Sequence, residues 1–171
     1  MRVKFIGLLI FFTSLQAFAQ EGYFIKSKDQ TDIFIEEKGT GTPVVLLSGG
    51  PGLNPFYVYP IHEQLSKHFR SIILHQRGTG KTVMAKIDST TLSLDKYVED
   101  LEALRTHLQA KKLILIGQSW GGMLSMEYCS RYLGHRLWFS LDRVHFLGIV
   151  HFLRNLFLSP FCLFFYFHFG F

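Results

Sequence analysis

Between residues 22 and 133 the chain alternates short apolar runs with longer amphipathic ones. Residues 23–28 and 32–37 alternate apolar and polar side chains with period two, and Asp29, Gln30 and Thr31 separate them, which predicts a β-hairpin. Residues 44–47, 71–74 and 113–116 are continuous apolar runs, the pattern of strands buried on both faces of a parallel sheet. Tyr97, Val98, Leu101, Leu104 and Leu108 recur at helical spacing after Ser93, a candidate N-cap, and Asp95, Glu99, Asp100 and Glu102 lie toward the positive end of the helix dipole. Strands alternating with helices predict an α/β layer fold, a mostly parallel sheet flanked by helices with an antiparallel hairpin at its start.

The two ends depart from this pattern. Residues 1–19 open with Arg2 and Lys4, continue through the apolar run 5–12 and finish on Ala17, Phe18 and Ala19. This predicts a secretory signal peptide cleaved between Ala19 and Gln20, because the apolar run is too short to span a bilayer. No cysteine follows the cleavage point, so lipid attachment there is not expected, and the mature chain is expected in the periplasm or outside the cell. Residues 134–171 hold ten of the 18 phenylalanines, and His145, His151, Arg154, Pro160 and His168 interrupt the run without helix caps or strand alternation. Arg154 and Pro160 leave no clean membrane-spanning stretch, so no membrane contact is expected of this tail. Its composition is that of an anomalous hydrophobic segment, such as an A/T-rich gene read in another frame produces.

Composition narrows the function classes. With 48% hydrophobic and 18% charged residues the chain can bury a core. The formal charge of +5 divides into +2 for residues 1–19, +1 for 20–133 and +2 for 134–171, so the body lacks the basic cluster that nucleic acid demands. Two cysteines, Cys129 and Cys162, exclude a disulfide scaffold and a paired-cysteine zinc site. His62, His68 and His107 fall in helical runs without metal-ligand spacing, so no metal is expected.

Chemistry concentrates in three segments, each placed after an apolar run. Gly117, Gln118, Ser119, Trp120 and Gly121 follow the run 113–116 and precede a helical stretch containing Met123, Leu124, Met126, Tyr128 and Tyr132. That is the context of a nucleophile elbow: a serine on a strained strand-to-helix turn, with small residues on either side and a helix N-terminus beneath it where an oxyanion forms. Ser48, Gly49, Gly50, Pro51 and Gly52 follow the run 44–47, and their glycines let a backbone amide face a site that side chains would block. The third segment, 75–82, ends in Gly80, Lys81 and Thr82. It is not a phosphate-binding P-loop, because the required earlier glycine is His75.

Together these segments resemble the α/β-hydrolase family and, within it, the prolyl iminopeptidase branch: Gly49–Gly52 matches its Gly-Gly-Pro-Gly loop, Arg77–Gly80 its Arg-Gly-x-Gly turn and Gly117–Gly121 its Gly-x-Ser-Trp-Gly elbow. The resemblance covers residues 22–133. It implies that Ser119 is the nucleophile, that the Gly50 and Trp120 amides form the oxyanion hole, and that Gly117, Gln118 and Gly121 shape the elbow. It also implies a serine aminopeptidase that releases N-terminal residues, often proline, from small peptides and needs no cofactor. The chain departs from the family at Ser48, where His is usual, and at His75, where Asp is usual.

The family's acid and base come late, after further strands and a cap, whereas this chain ends 52 residues beyond Ser119. Asp142 with His145, His151 or His168 keeps the order but lies too near the serine in sequence, and these are expected to be incidental polar residues. The expectation is therefore the N-terminal half of the fold, with the cap and C-terminal half missing and little turnover of its own. The strand at 113–116 would keep an exposed outer edge, and the chain would be insoluble, unless residues after about 135 supply its neighbour. Two other functions fit the same residues. One is an exported esterase or lipase-like hydrolase on the same fold, and the other is a non-catalytic fragment or binding module.

Overall fold

The computed structural model describes residues 22–132 and the strand at 137–140. The first apolar alternation forms β1 (Gly22–Lys26) and β2 (Asp32–Lys38), an antiparallel hairpin in which Ile25 pairs with Ile33. The continuous runs form β3 (Pro43–Leu47), β4 (Arg70–Leu74) and β5 (Ile114–Gly117). A single 3₁₀ turn, Pro55–Val58, leads into α1 (Tyr59–Leu65), while α2 (Leu94–His107) joins β4 to β5 and α3 (Trp120–Arg131) follows β5.

The sheet runs in the order β1-β2-β4-β3-β5, with a sixth strand, β6 (Leu137–Ser140), beyond β5. β2 meets β4 antiparallel, and β4, β3, β5 and β6 are mutually parallel. Period two decides which side chains meet which helix. Val45 and Leu47, with Ile72, Leu74 and Leu115, face α2 and α3 through Val98, Leu101, Leu104, Leu124 and Tyr128. Val44 and Leu46, with Ile73, Ile114 and Ile116, face the other way, toward α1 through Leu65 and Phe69. Runs apolar at every position thus serve two layers at once.

β6 lies beyond residue 133, in the segment whose sequence shows no usable alternation. Its four residues pair in parallel with β5, from Ile114 opposite Leu137 to Gly117 opposite Ser140, so the described β5 has a neighbour on both sides. The segment is obscure in sequence because four residues carry too little periodicity to register. His68 also differs from expectation, since it lies in the turn after α1 rather than in a helix. Residues 1–21, 133–136 and 141–171, which include the segment expected to be a signal peptide, Asp142, His145, His151, Cys162 and His168, lie outside the described residues.

α2 begins where Ser93 caps it, its side chain accepting from the Lys96 amide. Its acidic residues act chiefly as ion-pair partners. Asp100 is buried and receives Arg77 Nε at 2.7 Å and Nη2 at 2.7 Å. Arg77, also buried, reaches Asp29 Oδ2 at 2.8 Å and Ser27 Oγ at 3.1 Å in the hairpin turn. One guanidinium thereby ties the hairpin, the exit of β4 and α2 together.

Candidate active site

β4, β3 and β5 are neighbours in the sheet, so the segments that leave their C-terminal ends meet above one edge of the core. Crevices outside the carboxyl ends of parallel strands are where α/β sheets place their ligand sites.

Only Gln118 and Ser119 separate the end of β5 from the start of α3. Ser119 has φ 51° and ψ −114°, a conformation that L side chains rarely adopt and that costs of order 1–3 kcal/mol. Its surroundings enforce it. The Gln118 amide donates to the Leu47 carbonyl at 3.2 Å, the Gly121 amide to Gln118 O at 2.9 Å, and the Met123 amide to Ser119 O at 3.1 Å. A Cβ on Gly117 would stand 2.2 Å from Gly121 O, and one on Gly121 would stand 2.3 Å from Leu47 O, so neither position admits a side chain without backbone movement. Ser119 is exposed, and its hydroxyl makes no capping bond to the helix. The Trp120 amide belongs to the first residue of α3, whose N–H has no intrahelical acceptor.

The loop after β3 approaches the elbow closely. Gly50 has φ +59°, a left-handed turn that favours glycine, and the position of Gly49 is so tight that a Cβ there would meet Gln118 Oε1 at 2.2 Å. The Tyr57 hydroxyl accepts from the Gly49 amide and donates to Gln118 Oε1 at 3.0 Å, which clamps the loop to the elbow.

In the segment after β4, His75, Gln76, Arg77, Thr79 and Thr82 are buried. Gln76 Nε2 donates to Ser48 O at 2.7 Å and lies 3.2 Å from Ser48 Oγ, while Gln76 Oε1 accepts from the Trp120 indole at 2.8 Å. His75 Nδ1 accepts from the Lys81 amide at 3.1 Å, and Nε2 faces Glu36 Oε1 at 3.3 Å. Burial pushes the His75 imidazole below its usual value, against the pull of Glu36. Thr82 Oγ1 donates to His75 O at 2.6 Å and accepts from the Phe34 amide at 2.9 Å. The two departures from the family pattern thus occupy structural positions, Ser48 under Gln76 and His75 across the base of its own turn.

The structure brings together Gly49, Gly50, Gly117, Gln118, Ser119, Trp120 and Gly121 as the first two motifs suggest, and joins to them Gln76 of the third segment and Tyr57. Gln76 lies inside the third segment, 75–82, but its sequence neighbours do not reveal that its amide bridges two other loops. Tyr57 carried no sequence signal. His62 Nδ1 pairs with Ser71 Oγ at 2.8 Å, His107 lies with its ring centroid 5.2 Å from that of Tyr23, and His68 is exposed in the turn after α1. Among the described residues no histidine hydrogen-bonds Ser119.

Residues 42–151 match the model of the alpha/beta hydrolase fold family, a stretch that includes all three motifs and β6. The chain is 38% identical over 99 residues to a proline iminopeptidase of Lactobacillus helveticus, covering 57% of this chain and 34% of that protein. It is 36% identical over 94 residues to a proline iminopeptidase of Heyndrickxia coagulans, covering 55% of this chain and 32% of the relative. The chain therefore spans about a third of the length of these relatives. Among solved structures it is similar to an epoxide hydrolase from Vigna radiata, with a TM-score of 0.63 at 23% identity over 73% of this chain and 39% of the other, a likeness of fold. The sheet order, the strained serine between β5 and α3 and the matched segment agree: the chain belongs to the α/β-hydrolase fold family.

Proposed function

We propose that this chain carries the nucleophile and oxyanion-binding part of an exported serine hydrolase of proline iminopeptidase type. Ser119 is the nucleophile, attacking the carbonyl of an N-terminal residue of a small peptide, and the Gly50 and Trp120 amides receive the oxyanion. The observation that carries this reading is the backbone of Ser119, held at φ 51° between a strand and a helix with its side chain exposed. Strain of this kind persists only where the surroundings over-determine it, and here backbone bonds and two packed glycines do so. The identities to proline iminopeptidases support the choice of substrate class. No organic or metal cofactor enters the scheme.

A base must take the proton of Ser119 and an acid must orient that base. Among the described residues no histidine hydrogen-bonds Ser119, and the expected turnover is the low rate that an oxyanion hole and binding alone supply, about 10³ to 10⁴ over water in an otherwise intact site. A fluorophosphonate probe is expected to react slowly, with its adduct on Ser119 and none in Ser119→Ala, while proline β-naphthylamide turnover stays near background. An adduct on another residue would overturn the assignment of the nucleophile. Brisk turnover abolished by Ser119→Ala would overturn the low activity and show that the chain supplies its own base. Export is tested by N-terminal sequencing of secreted material, which is expected to begin at Gln20 and would count against the leader if it began at Met1.

A further inference from the structure

Gln76 is fully buried, and both ends of its amide are engaged by the two segments that hold the oxyanion amides. We propose that Gln76 is a positioning residue, a strut that fixes the spacing between the Gly50 and Trp120 amides and so determines how well the pair accepts a developing oxyanion. This rests on the reading of those amides given under the proposed function.

The orientation of the Gln76 amide is forced. The indole Nε1 of Trp120 can only donate, so the atom 2.8 Å from it must be the carbonyl oxygen, and the NH₂ group then faces Ser48 O at 2.7 Å. Each end of the strut therefore lies a short covalent path from one oxyanion donor. Trp120 carries its own amide, and the Ser48 carbonyl belongs to the peptide unit that leads through Gly49 to Gly50. The base of the strut is itself fixed. The Gln76 carbonyl accepts from the Thr79 amide at 3.0 Å and from Thr79 Oγ1 at 2.7 Å, and the next residue is the buried Arg77 with its carboxylate partners. Oxyanion donors act only when they sit about 2.7–3.1 Å from the oxygen, and a satisfied buried amide holds a single geometry. On the opposite side Tyr57 joins Gly49 to Gln118, so the loop after β3 is gripped from two directions. The Tyr57 contact is at the surface, whereas the Gln76 contact is in the interior.

The test uses the full chain labelled with ¹⁵N, with Gln76→Leu and Gln76→Glu as variants, read by the rate of fluorophosphonate adduct formation at Ser119 and by the amide and indole resonances. Gln76→Leu removes both bonds. It is expected to slow labelling about tenfold or more and to move the Gly50 and Trp120 backbone amide resonances together with the Trp120 indole resonance. Gln76→Glu keeps an acceptor for the indole but turns a carboxylate oxygen toward Ser48 O. It is expected to slow labelling with the indole resonance held and the Gly50 amide shifted, a separation that a general loss of stability would not produce. Labelling within twofold of wild type in both folded variants overturns the proposal, as do unmoved Gly50 and Trp120 amides in Gln76→Leu. If Gln76→Leu does not fold, Gln76→Glu decides by the same criteria. If wild-type Ser119 takes no adduct, the nucleophile assignment fails separately, and the resonances alone decide the strut.

Discussion

Two glycine-bearing loops leave neighbouring strands at the same edge of the sheet, yet they are held in opposite ways. After β3, Pro51, Gly52, Leu53 and Asn54 are all exposed. After β4, His75, Gln76, Arg77, Thr79 and Thr82 are all buried, each with a named hydrogen-bond partner. The first loop presents backbone to solvent and has little of its own to fix its shape. The second exposes Gly78, Gly80 and Lys81 but spends its buried side chains on its neighbours. A site that needs bare amides at defined positions must take its rigidity from elsewhere, and here the buried loop and the elbow supply it.

The contrast is broken most severely at Arg77. Arg77→Ala leaves Asp100 buried without its counter-charge, and burial already lifts that carboxyl to about 6 with the guanidinium present. A loss of about 3–5 kcal/mol is expected in denaturant unfolding, because removing one partner of a buried pair strands the other. A midpoint within error of wild type would show that the buried loop is no stronger an anchor than the exposed one.

Gly121→Ala should come next. Its Cβ would stand 2.3 Å from Leu47 O and 2.7 Å from Ser48 O, so the elbow must move away from the loop after β3. About 1–3 kcal/mol of stability and most of the Ser119 adduct rate are expected to be lost, read by thermal unfolding and intact-mass labelling. The same change at Gly52, where a Cβ meets nothing within 4 Å, adds only the strain of φ +100°, about 1 kcal/mol.

A smaller effect follows from acid. Burial lowers the values of His62 and His75, so below about pH 6.5 the unfolded chain binds protons that the folded chain refuses, and stability falls as pH falls. Asp100 works in the other direction, since its raised value lets the folded chain take up a proton near pH 6, ahead of the unfolded chain. The charged groups facing His75 are Glu36 and Lys81, and Glu63, Glu36 and Lys38 act on His62. Comparing wild type with His75→Asn isolates one contribution. The variant keeps an acceptor for the Lys81 amide, and its unfolding midpoint is expected to fall less steeply between pH 7 and 5.5. Parallel slopes would contradict this. At the weak end, Leu53→Ala and Phe56→Ala in and beside the exposed loop are expected to change stability by no more than about 0.5 kcal/mol.

Periodicity carries the hairpin, β3 to β5 and α2, because each is either an alternation, an unbroken apolar run or a capped amphipathic stretch, and the spacing of Gly117, Ser119 and Gly121 carries the elbow. Neither carries β6, whose four residues are too few, nor the fixing of the loops. The fixing depends on side chains such as Gln76 and Tyr57 that reach residues 44 and 61 positions away in sequence. Local pattern contains nothing about such distances. His75 illustrates the same limit: in sequence it is a departure from a motif, whereas in the fold its ring accepts the Lys81 amide and packs edge-on against Phe34 with centroids 5.0 Å apart.

Whether the exposed serine on the strained turn is the reactive group, served by two bare amides, is read by locating the fluorophosphonate adduct with peptide mass spectrometry. The expected result is a single slow adduct on the peptide containing Ser119, absent in Ser119→Ala and reduced in Gly121→Ala. An adduct spread over several serines, or one that persists in Ser119→Ala, would contradict it.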